Sequence, residues 1–100
     1  MPGGEEDFLA LVAAIRAEDA TLSPLGAGII AALSQGIADD SRTFARLFGI
    51  AHALVLREIN LLSGPETPIE MIRRDARTQR TYLKLTVKGE ALLARALPHS

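Results

Sequence analysis

The chain of 100 residues contains no cysteine and no tryptophan, and only 4% of its residues are aromatic. Without cysteine it can form no disulfide, no thiolate metal site and no cysteine nucleophile. Because aromatic rings are scarce, the core must be built mainly from Leu, Ile, Val and Ala, which dominate the 48% hydrophobic content. Such a composition favours helices over an all-β sandwich. The length is typical of one compact domain, so a single domain is expected over residues 1–100.

The sequence also lacks a long apolar run and a cluster of metal-binding side chains. Its longest stretch without charge, residues 20–38, is interrupted by glycine, serine, glutamine and proline, whereas a membrane span needs about 20 predominantly apolar residues. No basic segment precedes an apolar one near the N-terminus, so no secretory signal is predicted and a cytoplasmic protein without a membrane partner is expected. The two histidines, His52 and His99, are far apart in the sequence, and neither a metal nor another cofactor is expected.

Charge is segregated along the chain, although the net charge is only −1. Residues 1–40 carry seven acidic side chains and one basic one, a net charge of −6, whereas residues 41–100 carry ten basic and five acidic ones, a net charge of +5. Six of the bases fall within residues 71–88, together with a single acid, Asp75. Segregation of this kind indicates either a polyanionic partner or a solvated basic face with no partner.

Apolar spacing and capping chemistry predict two helices in the first third of the chain. After a loose tail at residues 1–4, four apolar side chains recur at the spacing of one helical face and predict a helix over residues 5–19. Ser23 and Pro24 have the chemistry of an N-cap and a first helical position, so a second helix is expected to begin there. The four apolar residues of the first helix are Phe8, Leu11, Val12 and Ile15.

Residues 41–62 have the spacing of a helix-turn-helix. A short helix capped within residues 39–41 is expected to end at Gly49, whose lack of a side chain suits a tight turn. Ala45 is small enough for this helix to cross closely over the next one, which follows over residues 51–62. The pattern is that of a DNA-binding motif whose second helix enters a major groove, but also that of a helical hairpin with no such role. The residues expected to bury the second helix are Val55, Ile59 and Leu62.

A β-hairpin and a last helix are predicted to follow. Gly64 has the conformational freedom for a left-handed cap and is expected to end the preceding helix. Residues 68–86 are predicted to form a hairpin with a charged tip, because apolar and polar residues alternate along its second half. Thr86 can cap a last helix over residues 87–97, which Pro98 stops. The predicted fold is thus mainly α with a small β-hairpin, of class α+β, in the order α-α-α-α-β-β-α.

Residues 73–93 read RRDARTQRTYLKLTVKGEALL, which contains a D-x-R-x-x-R motif, an alternating strand and an L-T-x-K-G junction into the next helix. This stretch resembles the wing of the MarR family of bacterial transcription regulators, and residues 45–62 are similar to its helix-turn-helix. The resemblance extends over residues 22–93. It implies a winged helix-turn-helix fold, regulation of transcription by binding to double-stranded DNA, a homodimer and a small aromatic effector.

The resemblance also implies roles for individual residues. Arg77 at the tip of the wing is expected to enter a minor groove. Phosphate contacts are expected for Arg80 together with Arg73 or Arg74. Arg57 matches an arginine that the family commonly carries on its recognition helix. The other residues expected at the DNA are Ser41, Arg42 and Thr43 at a helix N-terminus, and His52 and Asn60 on the recognition helix.

Two other function classes compete with DNA binding. The second helix of the motif begins with an apolar run, where the family usually has Ser, Arg and Thr, and this favours a protein-interaction module as the alternative. An enzyme is not expected, because the sequence has no phosphate-binding glycine loop, no carboxylate pair with a plausible cleft and no nucleophile–histidine pair in a recognisable context. The apolar run consists of Ala51, Ala53, Leu54 and Leu56.

The first helix is the candidate dimer interface, because only about three helical turns follow the wing and the family's long C-terminal helix is missing. A dimer would place two recognition helices about 34 Å apart, in successive major grooves. The alternative is a monomer in which the apolar residues of the first helix complete the core. The residues concerned are Phe8, Leu11, Val12 and Ile15.

Overall fold

The computed structural model describes the backbone of residues 4–97 and the side chains of residues 6–97. Within that range five helices and one antiparallel hairpin follow one another in the predicted order, which confirms the α+β class. Gly4, predicted as part of the tail, already belongs to the first helix, while residues 1–3, Pro98 and His99 lie outside the described residues. The elements are α1 (Gly4–Glu18), α2 (Pro24–Ser34), α3 (Ser41–Phe48), α4 (His52–Leu62), β1 (Ile69–Asp75), β2 (Arg80–Leu85) and α5 (Val87–Ala96).

Helix α2 lies at the centre of the core. All of residues 26–32 are buried, and the helix packs against α1, α4 and β2. A helix that is apolar on every side is stable only when other elements surround it. Ser23 caps the helix as predicted, because its hydroxyl accepts a hydrogen bond from the Gly26 amide at 2.9 Å. Fully buried apolar side chains that complete this core include Ile15, Phe44, Val55, Ile59 and Ile69.

Helix α1 packs its apolar face into the core of its own chain. Leu11 is 6% exposed and Ile15 is completely buried, so neither side chain can reach a second copy. The prediction that Leu11 and Ile15 form a dimer interface is therefore wrong, because both side chains are buried in the core of their own chain. Phe8 and Val12 are half-buried against the same cluster, and the Phe8 ring lies 6.2 Å from the ring of Phe48 at the end of α3.

Helices α3 and α4 are joined by a tight turn at Gly49, as predicted. Gly49 has a φ of 68°, in the left-handed region, where a side chain costs roughly 1–2 kcal/mol. The amides of Gly49 and Ile50 both donate to the carbonyl of Ala45, the second at 3.1 Å, and so close the end of α3. Helix α4 buries the predicted residues, Val55, Ile59 and Leu62.

The end of α4 differs from the prediction, because Gly64 is not left-handed. Instead, Ser63 takes an extended conformation and pairs with Ile69 in an isolated bridge. The Ser63 hydroxyl donates to the carbonyl of Ile59 at 2.7 Å and satisfies one of the last carbonyls of the helix. Since the extended cap already directs the chain towards β1, no left-handed residue is needed.

Strands β1 and β2 form the predicted hairpin, with a loop at residues 76–79. The amide of Gln79 donates to the carbonyl of Asp75 at 2.8 Å and closes the loop. Gln79 itself has a φ of 62°. The register shifts at Ile72, which is an extra residue in β1 and forms a bulge. A bulge increases the local twist, and Ile72 is 56% exposed there.

The segment before α3 pairs with the other edge of β2. The amide of Leu83 donates to the carbonyl of Asp39 at 2.9 Å, and Asp40 forms an antiparallel bridge with Tyr82. The chain therefore passes from a strand position at Asp40 directly into α3. The sequence pattern did not predict this pairing, which ties the beginning of α3 to the hairpin.

Helix α5 follows β2 and returns the chain to α1. Thr86 caps it as predicted, and its hydroxyl accepts from the Gly89 amide at 3.1 Å. The helix ends at Ala96, one residue before the predicted end. None of the helices within residues 4–97 is long and apolar enough to cross a membrane.

Candidate nucleic-acid interface

The tip of the hairpin is fastened to the beginning of α3 by two arginines. Arg42, in the first turn of α3, donates to the carbonyl of Thr78 from Nε at 3.0 Å and from Nη2 at 2.7 Å. Arg80, at the start of β2, donates to the Asp40 carboxylate at 2.8 Å. Both arginines were predicted to contact phosphate, but in the structure they hold the hairpin against the helix. The sequence could not reveal this role, because the partners are 36 and 40 residues away.

Asp40 is a buried carboxylate with three donors. The amide and the hydroxyl of Thr43 donate to it at 3.0 Å and 2.7 Å, and Arg80 provides the third hydrogen bond. Burial alone would raise the pKa of Asp40, but the hydrogen bonds from Thr43 and the charge of Arg80 outweigh it and bring the pKa below its ordinary value. Asp40 is therefore ionised at neutral pH. The Thr43 hydroxyl, predicted to contact phosphate, is directed to this carboxylate instead.

Ser41 joins α3, α4 and β2 from the inside. Its hydroxyl is completely buried, accepts a hydrogen bond from the amide of Thr81 at 2.9 Å and lies 2.8 Å from Nε2 of His52. The Ser41 hydroxyl is therefore not available to a phosphate group. The sequence showed no recognisable nucleophile–histidine pair, yet the fold brings one together. Because the Ser41 oxygen is buried and bonded to Thr81, no substrate can reach it.

The environment of His52 lowers the pKa of its imidazole. The first cause is burial, which disfavours the charged form, and the positive charges of Arg42 and Arg80 act in the same direction. Asp40 opposes them with a smaller effect. His52 is thus held neutral at the first residue of α4, with its ring directed towards Ser41.

Acidification is expected to destabilise the protein through His52. In the unfolded chain His52 takes up a proton near its ordinary pKa of about 6.5, whereas the folded state resists protonation. The free energy of unfolding should therefore fall as the pH is lowered from about 7.5 to 5.5, until the lower pKa of the folded state is reached. Urea denaturation at a series of pH values measures this slope. The variant His52→Gln should show a flatter profile, and an equal fall in both proteins would contradict the assignment.

Three arginines of the hairpin remain at the surface. The guanidinium of Arg73 lies 3.9 Å from the centroid of the Tyr82 ring, a cation–π contact that orients it. Arg74 lies 3.5 Å from the side-chain oxygen of Gln79. The amide of Arg77 donates to the Asp75 carboxylate at 2.9 Å, which shapes the loop, while its guanidinium is exposed and has no hydrogen bond to the described residues. Among these three arginines, Arg77 is thus the one most available to a ligand.

The outward face of α4 contains one exposed cation and one exposed amide. Arg57 and Asn60 are exposed, as their predicted role requires. Glu58 points towards α2, where it accepts a hydrogen bond from the Ser23 hydroxyl at 2.9 Å. The carboxylate is therefore engaged with the body of the protein instead of the outward face. The exposed apolar residues of α4 are Ala53, Leu54 and Leu61.

Two further features of the described residues bear on ligands. An open apolar groove of about 310 Å³ lies between α1, α2 and the turn after α3. No group of three His, Asp or Glu side chains within the described part of the chain is close enough to hold a metal ion. The groove is lined among others by Phe8, Val12, Leu25, Phe48 and Ile50.

Comparisons of the chain with protein-family models, curated proteins and solved structures find no match. Two residues important for the site, Asp40 and Tyr82, were not predicted to belong to it. Asp40 was recognised only as helix-capping chemistry, and nothing in the sequence pairs Tyr82 with Arg73.

Proposed function

We propose that this protein is a winged helix-turn-helix transcription regulator that binds double-stranded DNA, with the hairpin as its wing and α4 as its recognition helix. The observation that carries the proposal is the attachment of the basic hairpin to the beginning of α3 through Arg42, Arg80 and Asp40. A wing held at a fixed position beside a helix-turn-helix can contact one groove of a duplex while the helix enters another. Rigid placement also lowers the entropy cost of binding.

The charge of the wing supports a polyanionic partner. Residues 71–88 carry six bases and one acid. The acid, Asp75, accepts a hydrogen bond from the amide of Arg77 and so stabilises the loop that carries this arginine. Phosphate neutralisation by such side chains provides most of the affinity of proteins for DNA. The engaged arginines, Arg42 and Arg80, still add positive charge beside the tip of the hairpin.

The orientation of α4 supports the same function. Its apolar stripe is buried, so the opposite face is free to enter a major groove. Arg57 and Asn60 on that face match the two side-chain types that make bidentate contacts with guanine and adenine. Glu58, which would repel phosphate, is directed to Ser23. The only carboxylate of α4 is therefore directed away from the face proposed to meet DNA.

Loss of the exposed charge at the wing tip is expected to weaken duplex binding. For Arg77→Ala we expect a loss of about tenfold in affinity at about 50 mM salt, because one phosphate-neutralising charge is removed. The slope of log K against log salt concentration should fall by about 0.9. Fluorescence anisotropy of a labelled duplex over a salt series measures both quantities.

The matched control is Arg95→Ala, which removes the same charge from α5. Arg95 is near the end of α5, outside the hairpin, and its Nε lies 3.5 Å from a carboxylate oxygen of Glu18 in α1. We expect a smaller loss of affinity and an unchanged salt slope for this variant. Equal effects of the two substitutions would place the DNA elsewhere, and a folded protein that binds no duplex at low salt would overturn the proposal.

The second candidate function is a protein-interaction module. It is favoured by the exposure of Leu54 and Leu61 on α4, which are 50% and 68% exposed. Leu56, which belongs to the apolar run that favoured this candidate, is half-buried, so Leu54→Glu is the sharper probe. Loss of function in the cell for Leu54→Glu, with Arg77→Ala unaffected, would favour this candidate over DNA binding.

A further inference from the structure

The exposed side chains in the first turn of α4 are all apolar. In a recognition helix the N-terminal residues are those that contact base edges. The only polar side chain in the first turn of α4, His52, is directed towards Ser41, with 2.8 Å between Nε2 and Oγ. Ala53 and Leu54 are exposed beside it. The first exposed polar group after them is Arg57, one turn further along the helix.

Apolar side chains can discriminate between bases because they cannot form hydrogen bonds with the base edges. In the major groove the edges of guanine, cytosine and adenine present hydrogen-bonding groups, whereas thymine also presents a C5-methyl group. A leucine placed against a polar edge removes water from it without replacing the hydrogen bond, which costs free energy. Against the thymine methyl, the same leucine buries apolar surface on both sides, which is favourable.

From this arrangement we propose, on the basis of the proposed DNA-binding function, that Leu54, with Ala53, is a specificity-determining residue that selects thymine through its C5-methyl group. Half of the Leu54 side chain is exposed, so the core does not depend on it. Leu54 and Arg57 are three residues apart, about 4.5 Å along the helix axis. The thymine read by Leu54 therefore lies at most about one or two base pairs from the base contacted by Arg57, since base pairs are spaced about 3.4 Å apart.

The test is a selection followed by removal of single methyl groups. Duplexes from a random pool that bind the full chain at low salt are isolated and sequenced. The enriched site is then synthesised again with deoxyuridine in place of thymidine, one position at a time. Deoxyuridine keeps every hydrogen-bonding group of thymidine and lacks only the methyl. We expect about a fourfold loss of affinity for each contacted methyl, the factor that corresponds to burial of one methyl-sized group. In Leu54→Ala the enrichment of thymine and the sensitivity to deoxyuridine should both be lost at one position.

Leu61→Ala is the matched control. Leu61 is the same residue type on the same helix, is 68% exposed and lies in the last turn, away from the N-terminal residues that read bases. This variant should keep the sensitivity to deoxyuridine. Equal melting temperatures of both variants and the parent protein confirm that the fold is unchanged.

The outcomes separate this inference from the function on which it rests. A site that is enriched but insensitive to deoxyuridine, or a Leu54→Ala variant as sensitive as the parent protein, overturns thymine selection and leaves DNA binding intact. Retention of duplexes without any sequence preference also overturns thymine selection and leaves DNA binding intact. A folded protein that retains no duplex overturns the proposed function, and thymine selection with it.

Discussion

Gly89→Ala is expected to destabilise the protein by about 3 kcal/mol, at the upper end of the range for overpacking a core. A Cβ atom at Gly89 would lie 2.1 Å from the carbonyl oxygen of Pro68 and 3.1 Å from a methyl group of Leu85. The Pro68 carbonyl cannot turn aside freely, because it accepts a hydrogen bond from the Thr86 amide at 3.0 Å. Urea denaturation measures the loss, and the melting temperature should fall by about 15 °C.

The control for this substitution is Gly64→Ala. A Cβ atom at Gly64 would meet only the Thr67 side chain, at ordinary contact distances of 3.6 Å to its methyl group and 3.9 Å to its hydroxyl oxygen, and Gly64 is not left-handed. We expect a neutral effect or a gain of about 0.4–1 kcal/mol, because alanine restricts the unfolded chain. A similar loss at both positions would show that the close approach of α5 to Pro68 is not what requires glycine at position 89.

Asp40→Ala is expected to have the second largest effect, a loss of about 2–3 kcal/mol at neutral pH. The substitution removes the N-cap of α3 and the hydrogen bond to the Thr43 hydroxyl. It also leaves Arg80, whose side chain is 31% exposed, without its carboxylate. Denaturation at neutral pH measures the loss, and Asp39→Asn is the control because Asp39 is exposed and contributes its backbone carbonyl to β2.

The contribution of Asp40 depends on pH in a defined direction. Its pKa is lower in the folded state than in the unfolded chain, so it stabilises the fold above the ordinary aspartate pKa of about 4. That stabilisation is lost as the pH falls through the pKa of the folded state. The difference in stability between the parent protein and Asp40→Ala should therefore shrink below about pH 4. A constant difference across this range would show that the ionised carboxylate does not cause the effect.

The local elements of the fold were predictable because their causes are local. A serine or threonine before a helix accepts an amide hydrogen bond three residues later, so Ser23 and Thr86 identified two helix starts correctly. The turn at Gly49 was also predictable from local sequence, because its left-handed backbone conformation favours glycine. The end of α4 was not predictable from the sequence of the helix. Ser63 is extended because it pairs with Ile69, which lies outside the helix.

The candidate site was predictable only as a set of residue types. The basic residues of the hairpin were correctly identified as the unusual feature of the chain, and Arg77 and Arg57 are exposed as expected. The sequence did not show which arginines form hydrogen bonds within the protein, because the partners of Arg42 and Arg80 are 36 and 40 residues away. The same limit applies to Ser41, since a short polar residue at a helix start is usually exposed and here is buried under β2.

The order of the elements, the caps of α2, α3 and α5, and the concentration of positive charge in the hairpin follow from the amino-acid sequence, because each depends on neighbouring residues. The burial of Leu11 and Ile15 within one chain, and the attachment of the hairpin to α3 through Asp40 and Arg42, are visible only in the folded chain. These outcomes depend on which surfaces meet when distant segments pack. One apolar helical face is suited equally to a core or to a second copy, and only the burial of that face distinguishes the two.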